Sequence, residues 1–239
     1  MSNRLPETDV ANWAFQDDSS KVKALMRFVS PKNIKGSYEP FRKVFPDAVK
    51  SGSLMFPEMQ NEPTPWPELE QKLRRACKSR LEWLAMNISI SRATFDHAQR
   101  NGISAFPAEV TQMAFGVGHL YDFGMPLIIR YSNRAAAVFV DLRRKGGLSK
   151  AGKAFIFSAM HHRFREAYPE YTNIDLEIWK YKDNKSREVV AYLCDEIIYS
   201  YDDLKNEIRS LYQLYGDILR GNDYERRRRG GGQVGPMGW

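Results

Sequence analysis

The stretch PLIIRYSNRAAAVFVDLRRKGGLSKAGK, residues 126–153, decides how the whole chain is read. Pro126 suits the first turn of a helix, because the N–H it lacks would be unpaired there anyway. Leu127, Tyr131, Arg134, Val138 and Leu142 then recur at steps of four, three, four and four, the spacing of one helical face. Arg143, Arg144 and Lys145 followed by Gly146-Gly147 match a helix C-terminus, where cations meet the dipole and glycine turns the chain. Ser149 is a natural N-cap for a second helix, which reaches about Ala167 and stops before Pro169. The spacing predicts helix, glycine turn, helix.

Upstream, Ser104 to Phe115 has no helical stripe, and Phe106, Val110, Thr111 and Phe115 favour extended backbone. It reads as one solitary strand. Its backbone groups need pairing, so a second subunit is the expected supplier. Glu68 to about Gln99 reads as one long helix, with Leu73, Cys77, Leu81, Leu84 and Ile88 as its apolar stripe. Gly52 to Pro67 is a proline-rich loop. Two short helices precede it, Lys21–Val29 behind the capping cluster Asp17-Asp18-Ser19-Ser20, and Tyr38–Val49. Downstream, Ile174 to Tyr181 is extended, and Ser186 onward is helical. Ile197, Tyr201, Leu204, Ile208, Leu211, Tyr215 and Ile218 alternate steps of four and three, a seam that serves either the protein's own core or a dimer. The expected organisation is a flexible start over 1–20, a mainly helical domain over 21–220 with one short strand, and a disordered basic tail over 221–239.

The chain of 239 residues is 43% hydrophobic and 27% charged, enough to bury a core without disulfides or a structural metal. Cys77 and Cys194 stand far apart in no C-x-x-C pattern, which reads as reduced thiols. No signal-like apolar run opens the chain, and no run is long enough to span a bilayer. The expectation is a cytoplasmic protein without a membrane partner.

The net charge is +7. Between Pro126 and Glu166 nine bases face two acids, Asp141 and Glu166, which accounts for the whole formal excess. From Arg220 onward five arginines face Asp223 and Glu225. So localised a field suggests a nucleic-acid face. Arg143, Arg144, Lys145, Ser149, Lys150 and Lys153 combine cations, a glycine turn and a helix start, and lysines in a first turn oppose the dipole unless an anion sits there. A strand ribbon fits the major groove. Thr111 or Gln112 is then the base reader, since neighbours on a strand face opposite ways.

Other chemistry is sparse. Gly116-Val117-Gly118 lacks the third glycine of a dinucleotide loop, whose position holds Tyr121. His161-His162 is read as one core-facing and one surface histidine, and Asp17-Asp18 and Asp202-Asp203 as caps or solvated faces. No enzyme, cofactor, metal or small-molecule ligand is indicated.

From about Lys35 to Tyr171 the chain resembles the AcaB-like transcriptional regulators of conjugative plasmids and integrating conjugative elements. The resemblance lies in Ser37-Tyr38 through Val49, in Pro63 to Leu73, and in Pro107-Ala108-Glu109-Val110 through Phe115. It continues through Arg130-Tyr131, Ala137-Val138, Arg143-Arg144 and Gly147-Leu148 to Asp217-Ile218-Leu219. It implies a ribbon-helix-helix-like DNA-binding unit at about 107–167, embedded in the larger helical domain. It also implies a homodimer on double-stranded DNA that activates conjugative transfer genes. Two alternatives stay open: an RNA-binding or nucleocapsid-type protein, suggested by the Arg/Gly tail and interleaved aromatics, and a non-catalytic assembly protein of conjugation machinery.

Overall fold

The stretch expected as a helix from Pro126 folds as two strands. The structure, a computed structural model, describes residues 4–30, 37–49, 64–78 and 80–230, with side chains as far as 221. Among these the chain order is α1 (Glu7–Trp13), α2 (Asp18–Val29), α3 (Glu39–Ala48), α4 (Trp66–Cys77) and α5 (Leu81–Arg100). Then come β1 (Ser104–Pro107), β2 (Met113–Ala114), β3 (Leu120–Tyr121), β4 (Leu127–Arg130) and β5 (Ala135–Asp141). The chain closes with α6 (Lys150–Met160), β6 (Asp175–Tyr181), β7 (Val189–Leu193) and α7 (Tyr201–Gly230).

A five-stranded mixed sheet in the order β1-β4-β5-β6-β7, with a separate β2-β3 pair, replaces the mainly helical fold with one short strand. β4 and β5 form a hairpin in which Ile129 faces Ala136, and β5 runs parallel to β6 with Val138 opposite Glu177. A helix in this stretch would bury one stripe. Instead Ala136, Ala137, Val138 and Phe139 are all buried, because a central strand is covered on both faces and reads as a continuous apolar run. Ser132-Asn133 supplies the turn. The helix-like steps of four and three were coincidental samples of that run.

The ribbon-helix-helix expectation falls with the strand count. β1 pairs antiparallel with β4, and β2 with β3, so the chain supplies its own strand partners. The long helix expected over Glu68–Gln99 is two helices, split where Lys78 takes a φ of +53°, a left-handed conformation that helix cannot continue through. The segment after Ser186 is strand β7 and then irregular chain up to α7. Asp17 and Ser149 cap α2 and α6, accepting the Ser20 and Gly152 N–H groups. Residues 7–13, within the expected flexible start, are α1, and α7 runs to Gly230. Of the proline-rich loop expected over Gly52–Pro67, residues 52–63 lie outside the described residues; Pro65 caps α4, and Pro67 sits in its first turn.

Three layers result. Ala137, Phe139, Leu176 and Ile178 face a core shared with α1, α2, α6 and α7. Ala136, Val138, Trp179 and Tyr181 face the opposite core, which includes Phe41 and Phe45 of α3 and Ile90 of α5. In the α7 seam Leu204, Ile208, Leu211 and Tyr215 are buried in the first core, so the seam covers its own domain. No helix among the described residues is long and apolar enough to cross a membrane.

Candidate functional site

The sequence-predicted basic turn follows β5 and is tied down by the strand's last residue. Buried Asp141 accepts the Arg143 N–H at 3.2 Å and the Leu148 N–H at 2.8 Å. A Cβ at residue 147 would lie 2.5 Å from the Asp141 carboxylate, so only glycine fits there. Gly146 adopts a φ of +64°, open to glycine at no steric cost. From α1, Asn12 accepts the Ser149 N–H at 2.9 Å and donates to the Gly147 carbonyl at 3.2 Å.

These bonds bring Arg143, Arg144, Lys145, Ser149, Lys150 and Lys153 into one turn, but most of them already have partners. Arg143 makes a two-pronged pair with Asp9 at 2.6 and 2.7 Å. Burial alone pulls its guanidinium down; the Asp9 hydrogen bonds and charge outweigh it and hold the group above its ordinary value. Arg144 donates to Asp183 at 2.8 Å, which keeps that exposed carboxyl below its usual range. The Ser149 hydroxyl caps α6. The Lys153 ammonium sits 3.5 Å from the centre of the Tyr192 ring, which draws its charge off the helix start. Lys145 and Lys150 are exposed.

Thr111 and Gln112 precede β2 and belong to no ribbon. The Thr111 N–H donates to the Tyr168 hydroxyl at 2.6 Å, its carbonyl accepts from Arg163 at 3.0 Å, and Gln112 donates to Asp122 at 3.0 Å. They line a depression of about 310 Å³ with His162, Glu166 and Tyr201. There a π-helical turn over His161–Glu166 lets both histidines meet one carboxylate. His161 lies 3.1 Å and His162 2.6 Å from Glu166. The hydrogen bond from His162 holds the Glu166 carboxyl below its usual range, and the other His162 nitrogen lies 3.0 Å from the Tyr199 carbonyl.

The larger cavity, about 710 Å³, opens beyond the end of β5 between α1 and α3. Its floor includes Phe41, Leu127, Phe139 and Leu142, and its polar groups are Arg4, Glu7, Tyr38, Arg42, Asp122 and Arg143. One Glu7 oxygen accepts from Arg4 at 3.0 Å and from the Asp122 N–H at 3.2 Å. Burial raises the Glu7 carboxyl above 4.5, and the Asp122 N–H and the Arg4 charge draw it part of the way back. Burial likewise raises the Tyr38 hydroxyl, opposed by Arg187 and Arg144. Of this cleft the sequence reading found only Arg143. Glu7 comes from α1, Tyr38 and Arg42 from the start of α3, and no local spacing joins the two helices.

A model of the family described as the sliding clamp-binding bacterial toxin SocB matches residues 8–228. The chain belongs to the SocB family. No curated protein and no solved structure matches it. The SocB match overturns the resemblance to AcaB-like regulators, and with it the activator of conjugative transfer genes and double-stranded DNA as the main partner. The two alternatives, RNA binding and conjugation-machinery assembly, gain no better support. Local charge excess is not free charge: Arg143 and Arg144 are neutralised by Asp9 and Asp183, acids remote in sequence.

Proposed function

We propose that this chain is a toxin that acts by binding the bacterial sliding clamp. The observation that carries the reading is the extent of the family match, residues 8–228, which takes in both cores and most of α7. In this reading the toxic act is occupancy. A clamp whose partner-binding surface is filled cannot hold a polymerase, and no bond need be made or broken by the toxin. The clamp works in the cytoplasm, so the chain acts there too.

Protein association needs accessible apolar surface. Leu193 and Ile198 are 56% and 54% exposed, at and just beyond the end of edge strand β7. They are the first surface to test. Purified protein and purified clamp, mixed and followed by calorimetry, should form a complex. Induced expression should arrest growth, and excess clamp should relieve the arrest. Leu193→Asp should weaken the complex about tenfold or more, the usual weight of a central apolar contact. Absence of a complex at micromolar concentrations would remove the reading. A complex that tolerates Leu193→Asp would move the contact elsewhere on the chain.

A further inference from the structure

Clamp binding, as read above, makes no use of the cleft between α1 and α3, and its charges do not close among themselves. Arg143 is matched by Asp9, Arg4 faces Glu7, and Asp122 is held by Arg163 at 3.1 Å. Arg42 is exposed, and among the described residues no carboxylate lies within ion-pair reach of it. The Tyr38 hydroxyl has no hydrogen-bond partner among them either. Beneath these groups the accessible apolar lining is Pro6, Met125, Pro126 and Val140, while Phe41, Leu127 and Phe139 are buried. A volume of about 710 Å³ falls inside the range of roughly 300–1,000 Å³ typical of small-molecule sites, which are apolar with a few convergent polar groups.

We propose that this cleft binds a small amphipathic anion, its apolar body on Met125, Pro126 and Val140 and its charged head on Arg42. A carboxylate and a phosphate monoester share this chemistry.

Glu7 makes the binding proton-linked. The charged groups around it are Arg4, Arg42 of α3, Asp122 and, behind Asp122, Arg163. Burial already favours its neutral form. A bound anion favours that form further, so binding takes up a proton and tightens as pH falls toward the raised Glu7 value.

The test is titration of 2-naphthoate against its neutral counterpart 2-naphthamide, read by calorimetry on the full chain. Naphthoate should bind about tenfold tighter, the margin of a hydrogen bond to a charged group. Arg42→Gln should erase the margin and Arg42→Lys should keep part of it. Glu7→Gln should tighten naphthoate binding at pH 7.5 and flatten its pH dependence. In a second arm, adenosine 5′-monophosphate is compared with adenosine. A preference for the phosphate that Arg42→Gln removes supports the same site with a phosphate head. Equal affinity for naphthoate and naphthamide, no binding of either anion at millimolar concentration, or an anion preference that survives Arg42→Gln overturns the proposal. None of these outcomes bears on the clamp complex, which is measured separately.

Discussion

Around Phe155, on the face of the sheet built by Ala137, Phe139, Leu176 and Ile178, the chain sets mainly rings, with buried Lys21, Ser158 and Arg163 on the surrounding elements. Against the opposite face it sets rings together with a polar network. On the first side Phe155 is fully buried, with the rings of Phe123 and Phe15 centred 5.3 and 6.2 Å away. On the second side Glu177, also fully buried, accepts from the Tyr131 hydroxyl at 2.6 Å and the Trp179 indole at 2.7 Å, and pairs with Arg134. Nearby Asn87 accepts the Phe41 N–H at 2.9 Å and donates to the Ser37 and Trp83 carbonyls, and Thr94 and Tyr181 share a hydroxyl contact of 2.7 Å. Around Phe155 the first core depends on filled volume, which tolerates an apolar shape of the right size. The second depends on named donors and acceptors, each costly to leave unpaired in a low dielectric.

The largest effects should expose that contrast. Phe155→Ala and Glu177→Ala should each cost about 3–5 kcal/mol in chemical denaturation, the first through a cavity and the second through stranded polar partners. Their conservative replacements should then diverge. Phe155→Leu keeps much of the volume and should recover most of the loss. Glu177→Gln keeps the shape but replaces an acceptor with a donor, and should recover little. Equal recovery at both positions would erase the distinction between the faces.

A smaller effect sharpens it. Asn87→Ala should cost about 2 kcal/mol, because buried backbone groups at the start of α3 lose their partners. Since α3 carries Tyr38 and Arg42 to the cleft, the same variant should also weaken naphthoate binding. A stable Asn87→Ala with unchanged binding would separate that core from the cleft.

The smallest effect is a sign. The Glu7 carboxyl, raised by burial, contributes stability that is complete below its ordinary 4.5 and is lost as pH rises through the folded value. Glu7→Gln should therefore gain on the parent protein between weakly acidic and neutral pH, seen as a difference in denaturation midpoint that grows with pH. A difference constant across that window would remove Glu7 as a titrating group.

Much of the local structure was legible in the residues. Asp17 and Ser149 cap helices as their side chains predict, the helix after Tyr38 and the strand ending at Tyr181 lie close to where they were expected, and the α7 seam is apolar at the predicted positions. Of the site, the turn from Arg143 to Lys153 was legible as a unit: its glycines, its cap and its cations are contiguous. Its partners were not legible, because Asp9, Asn12, Asp183 and Tyr192 arrive from distant elements to occupy it.

The sequence by itself determined the caps, the turns and the one-sided helices, since each depends on bonds or burial stripes within a few residues. Only the tertiary structure decided that residues 126–141 are a hairpin. Ala135, Ala136 and Ala137 favour helix, and Leu127 to Leu142 can be laid on a helical face. Two apolar layers, one from α1, α2, α6 and α7 and one from α3 and α5, meet at this stretch. Burial on both faces outweighs local propensity there, because a strand offers both faces to the core while a surface helix offers one stripe. The cleft follows from the same cause: sandwiching the sheet brings α1 and α3 together over the end of β5, where Glu7 and Arg42 line one cavity.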